Sequence, residues 1–256
     1  MNIIGIIPAR LASSRLPQKP MADILGMPMI GHVYLRSKLS DKLNEVYVAT
    51  CDQEILDYIE SIGGKAIMTA DTHERASDRT AEALLKIEKI TNQKVDIVVM
   101  IQGDEPMVTP EMISASIDPL LVEKDLQITN LMAYMKSIEE HEDPAEVKVV
   151  VDRNDFALYF SREPIPSRKK GVEDVPMLKQ VCIIPFRRDF LLEYNQMEQT
   201  PLEIIESVDM NRLLENGIKI KMVLRDEETY SVDTKADLEN VNSKMKNDPL
   251  LKQYLK

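Results

Sequence analysis

The stretch Ile3-Ile4-Gly5-Ile6-Ile7-Pro8-Ala9-Arg10-Leu11-Ala12-Ser13-Ser14-Arg15-Leu16-Pro17-Gln18-Lys19-Pro20 joins a short β-branched run to a loop rich in cations. The run reads as a buried strand. In an open α/β sheet, ligands bind beyond the carboxyl ends of the strands. A loop there carrying Arg10, Arg15 and Lys19 with the hydroxyls of Ser13 and Ser14 suits an oligophosphate. Neither a Walker A nor a G-x-G-x-x-G pattern follows the strand, so P-loop and dinucleotide-binding readings lose their main support. A merely solvated basic loop is the plain alternative. Against it stands the acidity of the rest of the chain, where 43 Asp and Glu outnumber 32 Lys and Arg for a net charge of −11.

Outward from this loop, further β-branched runs recur at Val46 to Ala49, Val95 to Ile101, Val147 to Val151 and Ile218 to Leu224. Helical patterns lie between several of them, such as Ile55, Tyr58, Ile59 and Ile62 at the spacing that aligns one apolar stripe. Strands alternating with helices predict a mostly parallel α/β sheet covered on both sides. Thr200-Pro201-Leu202-Glu203 reads as a capping box opening a helix that Gly217 stops, and Thr109-Pro110 and Thr234 open two more. No linker, repeat or low-complexity tract divides the 256 residues, so the chain reads as one domain, 1–256, with a strand-rich excursion over about 137–187. The charge run Ser167 to Asp174 reads as a solvated loop or hairpin tip.

The acidic balance argues against sequence-independent binding to nucleic acid or to an anionic membrane. Two cysteines, Cys51 and Cys182, and three histidines are scattered without metal spacing. Buried free thiols are the expectation, and a zinc site is not. No targeting segment or long apolar run is legible, which predicts a soluble, cytoplasmic protein.

Two more segments carry chemistry. The strand ending at Ile101 leads into Gln102-Gly103-Asp104-Glu105-Pro106, where a glycine permits close approach of a ligand and a strand-end carboxylate suits Mg²⁺. Asp233, in Tyr230-Ser231-Val232-Asp233-Thr234, reads alone as a first-turn or capping residue of the next helix. Paired with Asp104 across neighbouring strands, it completes a metal site.

These segments, in this order, resemble the CMP-Kdo synthetase (3-deoxy-manno-octulosonate cytidylyltransferase) family. The likeness runs from Ile6 to about Val241 through IIPARLASSRLPQKP, Asp23 to Ile30, IQGDEPM, Val147 to Val150, Ala157 to Arg162, LLENGIKIK and SVDT. It implies a Rossmann-like nucleotidyltransferase sheet flanked by helices, a homodimer built partly through the excursion, and Mg²⁺-dependent transfer of CMP from CTP to an anionic sugar acid. By that resemblance Pro8, Ala9, Arg10, Arg15, Lys19, Asp78, Arg79, Gln102 and Gly103 bind CTP. Arg10 and Lys19 grip the phosphates, and Asp104 and Asp233 hold Mg²⁺. Gln102, Arg162, Lys179, Gln180, Asp209 and Arg212 face the acceptor, with Arg162 on its carboxylate.

The sequence departs from the family's pattern in two places. The base-recognition segment His-x-Ser-Gly-Thr-Asp/Glu-Arg is His73-Glu74-Arg75-Ala76-Ser77-Asp78-Arg79 here, which puts a guanidinium where the family has a serine. On the acceptor side, Gln180, Ile184, Asp209 and Met210 replace a histidine, a tyrosine, a glutamate and a glutamine. Polar contacts left unpaired cost on the order of 1–3 kcal/mol each, so these changes predict a different or modified acceptor with Kdo itself turned over poorly; neutral drift in a pocket that still takes Kdo is the plain alternative. The candidates are another ulosonic acid, an amino-modified sugar acid or a phosphonate. A different nucleotide, or a nucleotide-binding regulator without catalysis, are the competing readings.

Overall fold

The computed structural model describes residues 1–13, 16–172 and 174–255. Its elements run β1 (Ile3–Ala9), β2 (Asp23–Ile24), β3 (Met27–Pro28), α1 (Met29–Ser37), β4 (Glu45–Thr50), α2 (Gln53–Ser61), β5 (Ala66–Met68), α3 (Ala76–Thr91), β6 (Ile97–Ile101) and α4 (Pro110–Val122). They continue as β7 (Thr129–Tyr134), α5 (Ile138–Glu142), β8 (Lys148–Val151), β9 (Ala157–Ser161), β10 (Leu178–Val181), β11 (Ile183–Arg187), α6 (Arg188–Tyr194), α7 (Pro201–Glu206), α8 (Met210–Glu215), β12 (Lys221–Arg225), α9 (Lys235–Met245) and α10 (Leu251–Tyr254).

The first sheet has the order β11-β6-β1-β4-β5. All its pairings are parallel except that of β11 with β6. Because side chains alternate across a strand, β1 sends Ile4 and Ile6 into one apolar cluster and Ile3 and Ile7 into another. β6 does the same with Val98 and Met100 against Ile97, Val99 and Ile101. α3 covers the first face through Leu84 and Ile87, while α1, α2 and α4 cover the second through Val33, Ile55, Ile59 and Ile113. Each such side chain contributes about 1.5–3 kcal/mol on burial, which is why two-sided strands read as unbroken apolar runs.

A second sheet, β12-β7-β10-β8-β9, is antiparallel except where β12 runs beside β7. β10, β8 and β9 come from the excursion, but β7 and β12 lie outside 137–187. The strand-rich region is therefore a sheet to which the flanking chain contributes. An isolated bridge between Ile128 and Phe186 ties its approach to the first sheet.

The helix expected from Thr200 to Gly217 is two helices. Ser207 adopts a left-handed backbone (φ 51°) and ends α7, and Gly217 (φ 75°) follows α8. The carbonyls freed at the end of α7 find a partner the sequence pattern does not show: Arg162 donates from Nε to Glu206 O at 2.8 Å and from Nη2 to Ser207 O at 3.3 Å. The other two starts stand as read. Thr109 Oγ1 accepts from the Met112 N–H at 3.1 Å, and Thr234 Oγ1 accepts from that of Asp237 at 3.3 Å.

Both cysteines are free thiols, as expected, but half-buried rather than buried. Glu173 of the Ser167–Asp174 charge run lies outside the described residues; the rest of that run is exposed or half-buried. Among the described residues no helix is long and apolar enough to cross a membrane.

Candidate active site

β1 and β6 are parallel neighbours, so the loops at their carboxyl ends open side by side. Their approach is close. A Cβ on Gly103 would lie 3.2 Å from Ile30 Cδ1 and 3.3 Å from Pro8 O, contacts tight enough to favour glycine there. The Leu11 N–H donates to Asp52 Oδ2 at 2.8 Å, fixing the start of the cationic loop, and a single 3-10 turn, Lys19–Met21, brings Lys19 back under the strands. The segment before α9 is hooked to the same place by the Val232 N–H, which donates to Asp104 O at 2.9 Å.

Two cavities meet at this point. The first, about 350 Å³, is lined by Pro8, Ala9, Arg10, Ser13, Lys19, Arg79, Gln102, Gly103, Asp104 and Asp233, with His73 to Ala76 across from them. The second, about 210 Å³, shares Lys19, Gln102, Asp104 and Asp233, and adds Glu105, Glu146, Arg162, Gln180, Cys182, Ile184 and Asp209. At the junction Lys19 Nζ donates to Asp104 Oδ2 at 2.8 Å and to Asp233 Oδ1 at 2.9 Å. Burial alone would lower the Lys19 pKa, but the two carboxylates more than offset it and the net shift is upward. The ammonium is therefore a firmly held cation.

That ammonium also tests the site for a divalent ion. Two carboxylates converge on one positive charge, and both are hard oxygen donors. Among the described residues no group of three or more His, Cys, Asp and Glu gathers into a closed cage. Mg²⁺ does not need one, since one or two carboxylates plus substrate phosphate oxygens suffice. The donor set fits.

Arg79 is buried; its Nη1 donates to Thr69 Oγ1 and to Ala70 O at 3.2 Å. Its Nη2 is buried with no hydrogen-bond partner among the described residues, in a side chain that lines the first cavity. Asp78, in the first turn of α3, is not among the residues lining either cavity. Arg15 and Ser14 lie outside the described residues.

The acceptor-side residues divide. Gln102, Gln180 and Asp209 line the second cavity. Lys179 does not, because strand alternation turns it to the opposite face from Gln180. It is buried there, paired with Glu140 at 2.6 Å and Glu146 at 3.2 Å. Arg212 is also turned away and gives its guanidinium to Glu203 at 2.6 and 2.7 Å. Arg162 reaches the cavity wall, but beyond its bonds to α7 it donates to Pro144 O at 2.9 Å and Ala145 O at 3.3 Å. The basic wall expected of these three cations is thus a set of internal struts. Met210 is in the apolar core rather than on the wall.

The cavity is instead rich in carboxylates that burial holds back from ionising. Glu105, 9% exposed, is pushed up to about 8 by burial and by Asp104 beside it. Glu146 and Asp209 are also raised by burial. Glu105 and Glu146 were missed in the sequence. Glu105 had a signal, as the second acid at a strand end, whereas Glu146 had none.

Glu206 behaves oppositely. It accepts from Tyr159 Oη at 2.8 Å, Ser161 Oγ at 2.9 Å and the Arg162 N–H at 2.8 Å. Burial would raise its pKa, but these donors and the Arg162 charge hold it below its ordinary 4.5. Glu206→Gln is expected to cost about 1–3 kcal/mol near neutral pH. A depressed carboxylate contributes stability that is present above its unfolded pKa and lost as pH falls through the folded value. Denaturant melts of variant and parent should therefore converge in acid below the ordinary value; a gap that stays constant into acid would count against this role.

A doubly covered α/β sheet with a cationic loop, a Lys–Asp–Asp junction and two adjoining cavities defines a nucleotidyltransferase. The comparisons narrow the class. Residues 4–220 match the model of the family described as Cytidylyltransferase, and the chain belongs to that family. It is 40% identical over 255 residues to a 3-deoxy-manno-octulosonate cytidylyltransferase of Geobacter metallireducens, covering 96% of this chain and 98% of that one. It is 43% identical over 242 residues to the protein of the same name from Fusobacterium nucleatum, covering 94% and 96%. Among solved structures, a CMP:2-keto-3-deoxy-manno-octonic acid synthetase complexed with CTP superposes with a TM-score of 0.86 at 38% identity, over 96% of this chain and 99% of the other.

Proposed function

We infer that this enzyme transfers CMP from CTP to 3-deoxy-manno-octulosonate (Kdo) or a closely related ulosonic acid, releasing pyrophosphate. The observation that carries the reading is the sharing of Lys19, Gln102, Asp104 and Asp233 between the two cavities. A nucleotide in the first and an acid in the second would have their reacting atoms meet there. Relatives named for Kdo, matched over nearly their whole length, support the acceptor.

In the reaction an acceptor oxygen forms a bond to the α-phosphorus of CTP as the bond to the departing pyrophosphate breaks, and negative charge grows on the phosphate oxygens. Lys19 would neutralise part of that charge from a position fixed by two carboxylates, which requires little reorganisation during the step. Arg10, exposed at the rim of the first cavity, would hold the outer phosphates, and Arg79 the base. Gln102 would orient both substrates. No protein nucleophile is required, and alignment in the joined cavities supplies the proximity term. Mg²⁺ held by Asp104 and Asp233 would supply further stabilisation of phosphate charge.

The departures that do reach the acceptor cavity, Gln180, Ile184 and Asp209, favour a related or amino-modified sugar acid as a second reading. Pyrophosphate release with CTP, Mg²⁺ and a panel of acids, followed by mass spectrometry of the CMP conjugate, tests both. Rapid turnover of Kdo removes the second reading; no turnover with any sugar acid removes the first. The family resemblance implies a homodimer built partly through the excursion, where Ile138 on α5 and Leu158 on the edge strand β9 are both exposed apolar side chains, so a cytoplasmic homodimer is part of this reading. Sedimentation as a monomer at micromolar concentration would remove the dimer.

A further inference from the structure

We propose that Arg75, in the wall of the nucleotide cavity, is a positioning residue for the acceptor cavity, acting through a buried charge cluster that holds Asp209 in place. The proposal rests on the assignment of the two cavities given above. Arg75 stands where the family pattern has a serine, and its guanidinium does not simply point into the nucleotide space. Its Nη1 lies 2.7 Å from Glu203 Oε1. With the Gln199 amide oriented so that its oxygen faces Arg75, that oxygen accepts from Nη2 at 3.0 Å and Nε at 3.1 Å.

Glu203 is fully buried and is the hub. Besides Arg75 it accepts both arms of Arg212, from α8. Asp209, just before α8, belongs to the same cluster. Ser77 Oγ of α3 donates to its Oδ2 at 3.4 Å, and Tyr194 Oη of α6 donates to its main-chain oxygen at 3.0 Å. Burial raises the Asp209 pKa, Glu203 adds to that, and Arg75 and Arg212 oppose it. Arg75 and Arg212 converge on the buried carboxylate of Glu203, and Arg212 lies on α8, which begins directly after Asp209. Removing the Arg75 charge loosens the anchor by which Glu203 of α7 holds the start of α8, and takes a favourable charge away from Asp209. Asp209 is the member of the cluster that lines the acceptor cavity.

A residue that touches the nucleotide space is thus expected to affect acceptor kinetics most. Arg75→Gln keeps the length and planar end of the side chain without its charge, and Arg75→Lys keeps the charge without the fork. The measurements are acceptor KM by pyrophosphate release at saturating CTP, and CTP affinity by calorimetry in the absence of acceptor. Arg75→Gln should raise acceptor KM about tenfold while CTP affinity changes by less than about threefold, and Arg75→Lys should recover most of that loss. An acceptor KM unchanged in Arg75→Gln overturns the proposal. So does a CTP affinity that falls as far as the acceptor KM rises, which would make Arg75 a nucleotide contact. So does an Arg75→Lys variant as impaired as Arg75→Gln, since retained charge would then count for nothing. If Arg75→Gln fails to fold, Arg75→Ser, which restores the residue of the family pattern and removes the charge, takes its place in both measurements with the same outcomes. A parent enzyme that releases no pyrophosphate from CTP and any sugar acid would instead void the underlying assignment.

Discussion

Asp104→Asn should reduce kcat by on the order of 10²–10³-fold while leaving the protein folded. Asparagine has nearly the same shape, and its amide oxygen can still accept from Lys19 Nζ, which lies 2.8 Å from the aspartate. What disappears is one of the two negative charges at the junction of the cavities. The loss is felt twice. On the proposed reading the remaining carboxylate, Asp233, would be left to hold a divalent ion with the substrate phosphates, and Lys19 loses one of the two charges that keep its ammonium in place. Both effects fall on groups that stabilise charge developing in the transition state, so the damage belongs in kcat more than in the affinity for CTP. Pyrophosphate release across a wide range of Mg²⁺ concentration, with CTP affinity and thermal melting measured beside it, separates these terms. A variant with near-parental kcat at every Mg²⁺ concentration would remove Asp104 from the chemistry.

The sequence was most informative where local chemistry and topology reinforce one another. The cationic loop and the Gly103-Asp104 turn were legible because each follows an apolar run that only a buried strand explains. In a parallel sheet, loops following neighbouring strands open on the same edge. The meeting of Lys19 and Asp104 is a consequence of that geometry, whereas Asp233 ends no strand of this sheet, contrary to the pairing across neighbouring strands expected of it, and reaches them from the irregular segment before α9 through the bond of the Val232 N–H to Asp104 O. The acceptor side was less legible because there a residue's type does not reveal its direction. Lys179 and Gln180 are adjacent, so at most one could face the cavity, and the pattern does not say which. Arg162 and Arg212 look like ligands for an acid, but a buried helix end and a buried carboxylate compete for the same guanidiniums. Strong hydrogen bonds to backbone carbonyls take Arg162, and a bidentate ion pair takes Arg212. Glu203 illustrates the same ambiguity from the other side. Its place in a capping box is real, since its Oε2 accepts from the Thr200 N–H at 3.3 Å, yet that contact is the smaller part of what it does.

Glu203→Ala should be the most destabilising single change in this region, by about 3–5 kcal/mol, because it leaves the buried Arg212 guanidinium, and the half-buried one of Arg75 beside it, without the carboxylate that pairs both. Arg212 has little room to escape, lying 3% exposed with its guanidinium over the Tyr194 ring at 4.9 Å. Its Nη1 keeps a bond to Met197 O at 3.1 Å, which satisfies one donor but neutralises no charge. For a chain of this length such a loss corresponds to a fall in melting temperature of about 6–20 °C. The cost does not imply that the cluster is a net source of stability. Burying charges is itself expensive, so Glu203→Leu combined with Arg75→Met and Arg212→Met should recover much of what Glu203→Ala loses. The comparison of the single and triple variants by denaturant unfolding separates two explanations. If the alanine variant melts within about 2 °C of the parent, water must reach the cluster and the buried-charge argument fails. If the apolar triple variant is stable but its acceptor KM is raised, the cluster is kept for the placement of Asp209, and its contribution is to the geometry of the acceptor cavity rather than to the stability of the fold.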